Sequence, residues 1–196
     1  DNRFEVNLRI PTPKNYIIGP DDEISIDIFG YQEANYKLVV TPEGVINIPS
    51  IGYVSVNGLT IDQATQRIKS KMIKSGYSRL ANGGQTQLAV NISKIRTIKV
   101  TVIGQATRPA TYSLSSLSTL FNALYACGGP NEKGSLRKIE LIRDNKVIAI
   151  FDAYDYLLKG FQSKNIRLND QDVIRIPVAA TQVKLRGEIM PPGIFE

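Results

Sequence analysis

Val100-Thr101-Val102-Ile103-Gly104-Gln105-Ala106-Thr107-Arg108-Pro109-Ala110-Thr111-Tyr112 returns, in altered form, as Val183-Lys184-Leu185-Arg186-Gly187-Glu188-Ile189-Met190-Pro191-Pro192-Gly193-Ile194-Phe195. Val100 matches Val183, Gly104 matches Gly187, Pro109 matches Pro192 and Tyr112 matches Phe195, each pair 83 residues apart (183 − 100). A fixed internal period marks a repeated supersecondary unit, and arrays of such units build scaffolds and channels more often than single catalytic pockets. The Gly-x-x-x-x-Pro spacing suits a strand end followed by a rigid turn, with Pro presetting φ near about −65°. Gly104, Pro109, Gly187 and Pro192 are therefore read as structural positions. The second copy stops at Glu196, just after its opening motif, which predicts a segment of a longer array.

Between the copies the pattern is strand, helix, hairpin, helical turn, strand. Lys99 to Ile103 reads as a strand, and Leu117 to Ala126 as a short helix with Leu117, Leu120, Phe121 and Leu124 on one face, stopped by Gly128-Gly129-Pro130. Lys138 to Ile142 and Val147 to Phe151 form a hairpin across Asp144-Asn145, Ala153 to Lys159 a helical turn, and Asp172 to Ile176 the closing strand. One helix across a mixed sheet is an α+β unit in β-grasp outline.

Upstream, Glu23 to Phe29 alternates Ile24, Ile26 and Ile28 with Ser25 and Asp27, a half-buried strand. Leu38 to Thr41 and Val45 to Ile48 flank the turn Pro42-Glu43-Gly44, and Val54 and Val56 mark another short strand. Thr60 with Gln63 is a capping box opening a helix, whose buried stripe is Ile61, Ala64, Ile68 and Met72 and whose stop is Gly76. Arg67, Lys71 and Lys74 share one flank of that helix. Gln87 to Ile92 alternates again. The expected organisation is an extended lead-in over 1–15, a first domain over 16–96, a second over 97–180, and the first strand and turn of a further repeat over 181–196.

A second echo joins the two domains: Ile18-Gly19-Pro20-Asp21-Asp22-Glu23-Ile24 resembles Leu168-Asn169-Asp170-Gln171-Asp172-Val173-Ile174. Turn chemistry explains it without catalysis or metal, since Asp and Asn side chains cap their own backbone and tolerate left-handed φ.

The chain has no histidine and one cysteine, Cys127, which removes Ser-His-Asp and Cys-His catalysis and nearly all zinc sites from these 196 residues. Cys127 reads as a small apolar core residue near a helix end. Nothing indicates a metal or a cofactor. Net charge is +6 but uneven: residues 1–60 carry 4 basic and 8 acidic side chains, whereas 61–100 carry 8 basic and 1 acidic. The basic flank of Arg67, Lys71 and Lys74 is a candidate contact for an anionic polymer or a neighbouring subunit, against the plainer reading of a solvated helix face. No RNP, KH or helix-turn-helix signature accompanies the charge, so nucleic acid is not an expected partner.

The motifs together resemble the bacterial polysaccharide export family (Wza-type outer-membrane auxiliary proteins). Three stretches carry the likeness to its export domain: Tyr16-Ile17-Ile18-Gly19-Pro20-Asp21-Asp22-Glu23-Ile24, the run from Val40 to Gly52, and Val54-Ser55-Val56-Asn57-Gly58-Leu59-Thr60. The stretch from Gly104 through Ala126-Cys127-Gly128-Gly129 to Ile174 resembles a soluble-ligand-binding β-grasp (SLBB) unit. Two positions depart from that pattern: Ala110 and Gln171 stand where glycine is usual, which strains the backbone if either needs positive φ. The resemblance implies a non-enzymatic, periplasmic part of a conduit for capsular or extracellular polysaccharide at the outer membrane. It further implies a ring of identical subunits and an inner-membrane polysaccharide co-polymerase as partner. A lipid-bearing cysteine and a terminal membrane helix are implied for the family and lie outside this stretch.

Two other functions fit the residues. A β-grasp module could hold a small ligand or glycan, using Tyr31, Tyr36, Tyr53 and Tyr77 as stacking faces. A glycosidase working with carboxylates alone would draw on Asp21, Asp22, Glu23 and Asp27; it needs two carboxyls about 5–10 Å apart, whereas carboxylates at a turn are expected to be solvated.

Overall fold

The computed structural model describes residues 12–13, 15–31, 33–81, 85–159, 165–180, 183–185 and 193–195. Two units make up the chain, Asp1–Arg96 and Thr97–Glu196.

The first unit runs β1 (Glu23–Gly30), β2 (Ala34–Val39), β3 (Val45–Ile48), β4 (Gly52–Ser55), α1 (Ile61–Lys74), a 3-10 turn at Ser78–Leu80, and β5 (Thr86–Lys94). β1 is the middle of an antiparallel sheet in the order β2-β1-β5, and β3 and β4 form a separate hairpin. The alternation read from β1 is the burial seen: Ile24, Ile26 and Ile28 enter the core, while Ser25 and Asp27 stay half-exposed. β2 lies earlier than expected, at Ala34–Val39 rather than Leu38–Thr41. Its inner residues, Ala34, Tyr36 and Leu38, are only partly buried, as suits an edge strand, so its apolar signal is weak.

Helix α1 begins where the capping box sets it. The Thr60 amide donates to Gln63 Oε1 at 3.0 Å and the Gln63 amide to Thr60 Oγ1 at 3.3 Å. Ala64, Ile68 and Met72 recur every fourth residue and are fully buried. Burying Ile68 and Met72 contributes about 1.5–3 kcal/mol each before the entropy of ordering them. Arg67, Lys71 and Lys74 are exposed.

The second unit runs β6 (Thr97–Gly104), β7 (Ala110–Ser115), α2 (Leu120–Cys127), β8 (Ile139–Arg143), β9 (Lys146–Phe151), α3 (Ala153–Lys159) and β10 (Val173–Ile176). Its sheet has the order β7-β6-β10-β8-β9. The first and last strands lie side by side and parallel in the middle, and the other pairs are antiparallel, which is the β-grasp arrangement. Asp144 and Asn145, at φ 49° and 60°, make the hairpin turn. Leu120, Ala123, Leu124 and Cys127 of α2 are buried among Val100, Val102, Leu141, Ile174 and Ile176 of the sheet.

Two expectations for the second unit are corrected as well. The sequence marks no strand over β7, because only its half-buried Tyr112 and Leu114 carry an apolar signal. Helix α2 starts at Leu120, so Leu117 lies in the preceding turn rather than on the helix face. The cause is a second capping box: Thr119 caps, and its amide donates to Asn122 Oδ1 at 2.8 Å.

Beyond the second unit's sheet, β11 (Val183–Leu185) pairs antiparallel with β12 (Gly193–Phe195). The partners Val183↔Phe195, Lys184↔Ile194 and Leu185↔Gly193 repeat Val100↔Tyr112, Thr101↔Thr111 and Val102↔Ala110, each residue displaced by 83 (183 − 100). Gly187 and Pro192 lie outside the described residues. Among the described residues, no helix is long and apolar enough to cross a membrane.

Candidate functional site

The Asp-bearing turns are the same device built twice. In the first unit Asp21 takes φ 67° and Asp22 turns inward; in the second Gln171 takes φ 64° and Asp172 turns inward. Asp22 Oδ2 accepts the Gly19 amide and Asp172 Oδ2 the Asn169 amide, both at 2.8 Å. Each carboxylate also meets an arginine. Arg96 gives its amide to Asp22 Oδ1 and its Nη1 to Oδ2, both at 2.8 Å, and Tyr16 Oη adds a 2.6 Å bond to Oδ1. Arg143 grips Asp172 with Nε on Oδ1 and Nη2 on Oδ2, again at 2.8 Å, and this hydrogen bonding raises the guanidinium pKa.

Asp22 is therefore not solvated, as a turn carboxylate was expected to be: it is fully buried. A charge without solvent must be paired and hydrogen-bonded, and the arginine together with the local amides meets that need. Nearby, Glu23 accepts from Ser93 Oγ at 2.5 Å, and Asp27 accepts from Ser25 Oγ at 2.8 Å and from Asn35 Nδ2. Asp22, Glu23 and Asp27 thus each hold a bond within the fold. Among the described residues, no group of three or more His, Cys, Asp or Glu gathers in a way that could hold a metal.

The Gly104 to Pro109 loop caps the end of α2. The Thr107 amide donates to Gly129 O at 2.9 Å and its Oγ1 to Gly128 O at 3.1 Å. The Arg108 amide donates to Cys127 O at 3.1 Å, and its Nη2 to Ala126 O at 3.0 Å. Helix carbonyls left without an intrahelical partner are satisfied by the loop, which explains why the two motifs go together. Gly104 has φ 85°, and a Cβ there would stand 2.2 Å from Ile176 O of β10. Pro109 is exposed and immediately precedes β7. Ala110 is absent from the positive-φ residues, so its departure from glycine is harmless, whereas Gln171 does occupy that region. Cys127 is buried, and burial pushes its thiol pKa up.

The four tyrosines divide. Tyr36 and Tyr77 pack against the first core and hydrogen-bond each other, which raises the Tyr36 pKa. Tyr31 and Tyr53 are exposed, and the Arg79 guanidinium lies 3.5 Å from the Tyr31 ring centre.

The basic flank does form one surface. Arg67, Lys71 and Lys74 line a shallow, open depression along α1 together with Gln63, Gln66 and Ser70. Arg67 is steered by a 3.3 Å bond from Nη1 to Ser55 O at the end of β4. Among the described residues, none of the three cations forms an ion pair.

Sequence reasoning missed Arg96 and Arg143. The repeated Asp turn was visible, but its arginine follows it by 74 positions in one unit and precedes it by 29 in the other, so no common spacing announced it.

Comparison with known proteins places these features. The family model described as polysaccharide biosynthesis/export protein matches residues 10–93, and the SLBB domain model matches residues 99–151. A polysialic acid transport protein KpsD of Escherichia coli is 31% identical over 183 residues, covering 93% of this chain and 32% of that protein. A second Escherichia coli protein of the same name is 30% identical over the same span. The chain thus spans about a third of the length of the curated relatives it matches.

Proposed function

Because residues 10–93 belong to the polysaccharide biosynthesis/export family and residues 99–151 are an SLBB domain, we propose that the chain is a non-enzymatic part of a conduit exporting capsular or extracellular polysaccharide. The reading is supported above all by the order of elements: one export domain, one SLBB β-grasp, and then a strand pair in the register of β6 and β7. Small β units that each carry their own core suit a repeated scaffold. The two similar Escherichia coli proteins are named for transport of polysialic acid, an acidic polymer.

In this reading the chain works in the periplasm at the outer membrane, in a ring of copies of itself, and receives polymer from an inner-membrane polysaccharide co-polymerase. The test is removal of the protein carrying this chain from a polysaccharide-producing cell, with polymer assayed separately at the surface and in the periplasm. Loss from the surface with accumulation inside is expected. Unchanged surface polymer, or sustained cleavage of the glycan by the purified chain, would overturn the reading.

A further inference from the structure

We propose that the exposed flank of α1 carrying Arg67, Lys71 and Lys74 is a binding track for an acidic polysaccharide, one bearing carboxylates along its length. The proposal rests on the export reading only in taking the polymer to be a glycan.

The row of charge is costly to the helix as it stands. Arg67 and Lys71 are four residues apart and Lys71 and Lys74 three, so like charges adjoin, and such pairs destabilise a helix by about 0.2–0.5 kcal/mol each. Surface helices commonly relieve this with an acid one turn away, yet within α1 those positions hold Gln63, Ala64, Ile68 and Ser70 instead. Lys71 and Lys74 in the last turn gain a little from the helix dipole; Arg67, further in, gains less. The fold leaves this charge to be met from outside.

The surroundings select the kind of anion. With a rise of about 1.5 Å per residue, the cations stand about 6 Å and 4.5 Å apart along the axis, a row about 10 Å long that suits a repeating charge. Amides and a hydroxyl, Gln63, Gln66 and Ser70, line the same depression and can serve sugar hydroxyls. No large exposed hydrophobic side chain lies on α1, whereas protein interfaces centre on apolar and aromatic residues. Single-stranded nucleic acid, in turn, wants aromatic platforms, and this lining has none.

The experiment uses the full chain and three probes: a polysialic acid fraction, a neutral dextran of similar length, and a single-stranded DNA. Binding is followed by affinity electrophoresis, and self-association by light scattering. We expect retention by polysialic acid that weakens with salt, none by dextran, and little by DNA. Changing Arg67, Lys71 and Lys74 together to Gln should weaken binding at least tenfold with an unchanged circular dichroism spectrum. The double change Lys71→Gln, Lys74→Gln keeps the bond of Arg67 to Ser55 and should give an intermediate loss.

Undiminished binding by the triple variant, or DNA retained as strongly as polysialic acid, would overturn the track. So would salt-sensitive self-association that the triple change abolishes while polymer binding persists, because the flank would then serve a neighbouring copy. The two readings fail separately: a chain that ignores acidic glycans, in a protein whose loss still strands polymer inside the cell, removes the track and leaves export standing.

Discussion

Arg143 meets Asp172 through two parallel bonds of 2.8 Å, and the carboxylate it holds has no exposed surface. Arg96 and Asp22 repeat the relationship in the first unit with one guanidinium nitrogen and one backbone amide. Each pair ties the turn before a strand to the end of the antiparallel neighbour: β1 to β5 in one unit and β10 to β8 in the other. The common turn thus has a physical role at two places in the chain.

Replacing Asp172 by Ala should cost about 3 kcal/mol, the low end for breaking a buried pair, because Arg143 is partly exposed and can turn to water. Asp22→Ala should cost a similar amount. Urea unfolding followed by circular dichroism checks both, and a change under about 1 kcal/mol in either would reduce that pair to a surface contact.

Gly104→Val combines a left-handed backbone with a clash against Ile176 O, so a loss of at least about 2 kcal/mol is expected. Ala110→Gly, which gives the position the residue of its repeat counterpart Gly193, should instead cost about 0.5 kcal/mol through added freedom of the unfolded chain. Thermal melts of the two variants give the comparison. An unchanged melting temperature for Gly104→Val would sink the structural role assigned to it.

Gln171→Gly should act in the opposite sense. At φ 64° the Gln backbone is strained by about 1–2 kcal/mol, while glycine adds about 0.5–1 kcal/mol of unfolded-state entropy, leaving a gain of about 0.5 kcal/mol. A destabilised variant would mean that the Gln171 bond to Asp170 outweighs the strain.

Asp170 is held below its ordinary carboxylate range chiefly by the Lys99 amide, which donates to Oδ1 at 2.7 Å. A depressed folded pKa contributes stability that is present above the ordinary value of 3.8 and lost as pH falls through the lower folded one. Asp170→Asn keeps an acceptor and removes the titration. Its stability deficit relative to the parent should therefore be constant at neutral pH and shrink in acid. A deficit that persists to the lowest pH at which the chain folds would contradict this.

Cys127 should be silent toward a thiol reagent such as Ellman's in the native chain and react fully in urea, because it is buried and burial raises its pKa. Rapid labelling of folded protein would show an opening of α2 that the packing does not suggest.

Much of the fold was legible because it depends on neighbours in sequence. The alternation in β1, the capping box at Thr60, the hairpin across Asp144-Asn145 and the repeat of 83 residues (183 − 100) are local patterns, set by strand pleat, helix pitch and turn dihedrals. The basic flank was legible for the same reason, since helical spacing alone puts Arg67, Lys71 and Lys74 together. What tertiary structure decided is where distant segments meet. β7 pairs along β6 although its own pattern is weak, and Arg96 and Arg143 find Asp22 and Asp172 from opposite directions along the chain. Gly104 is needed because a carbonyl of β10, 72 residues on (176 − 104), passes where a side chain would stand. Such contacts follow from strand order in space, and strand order leaves no periodic mark on the sequence.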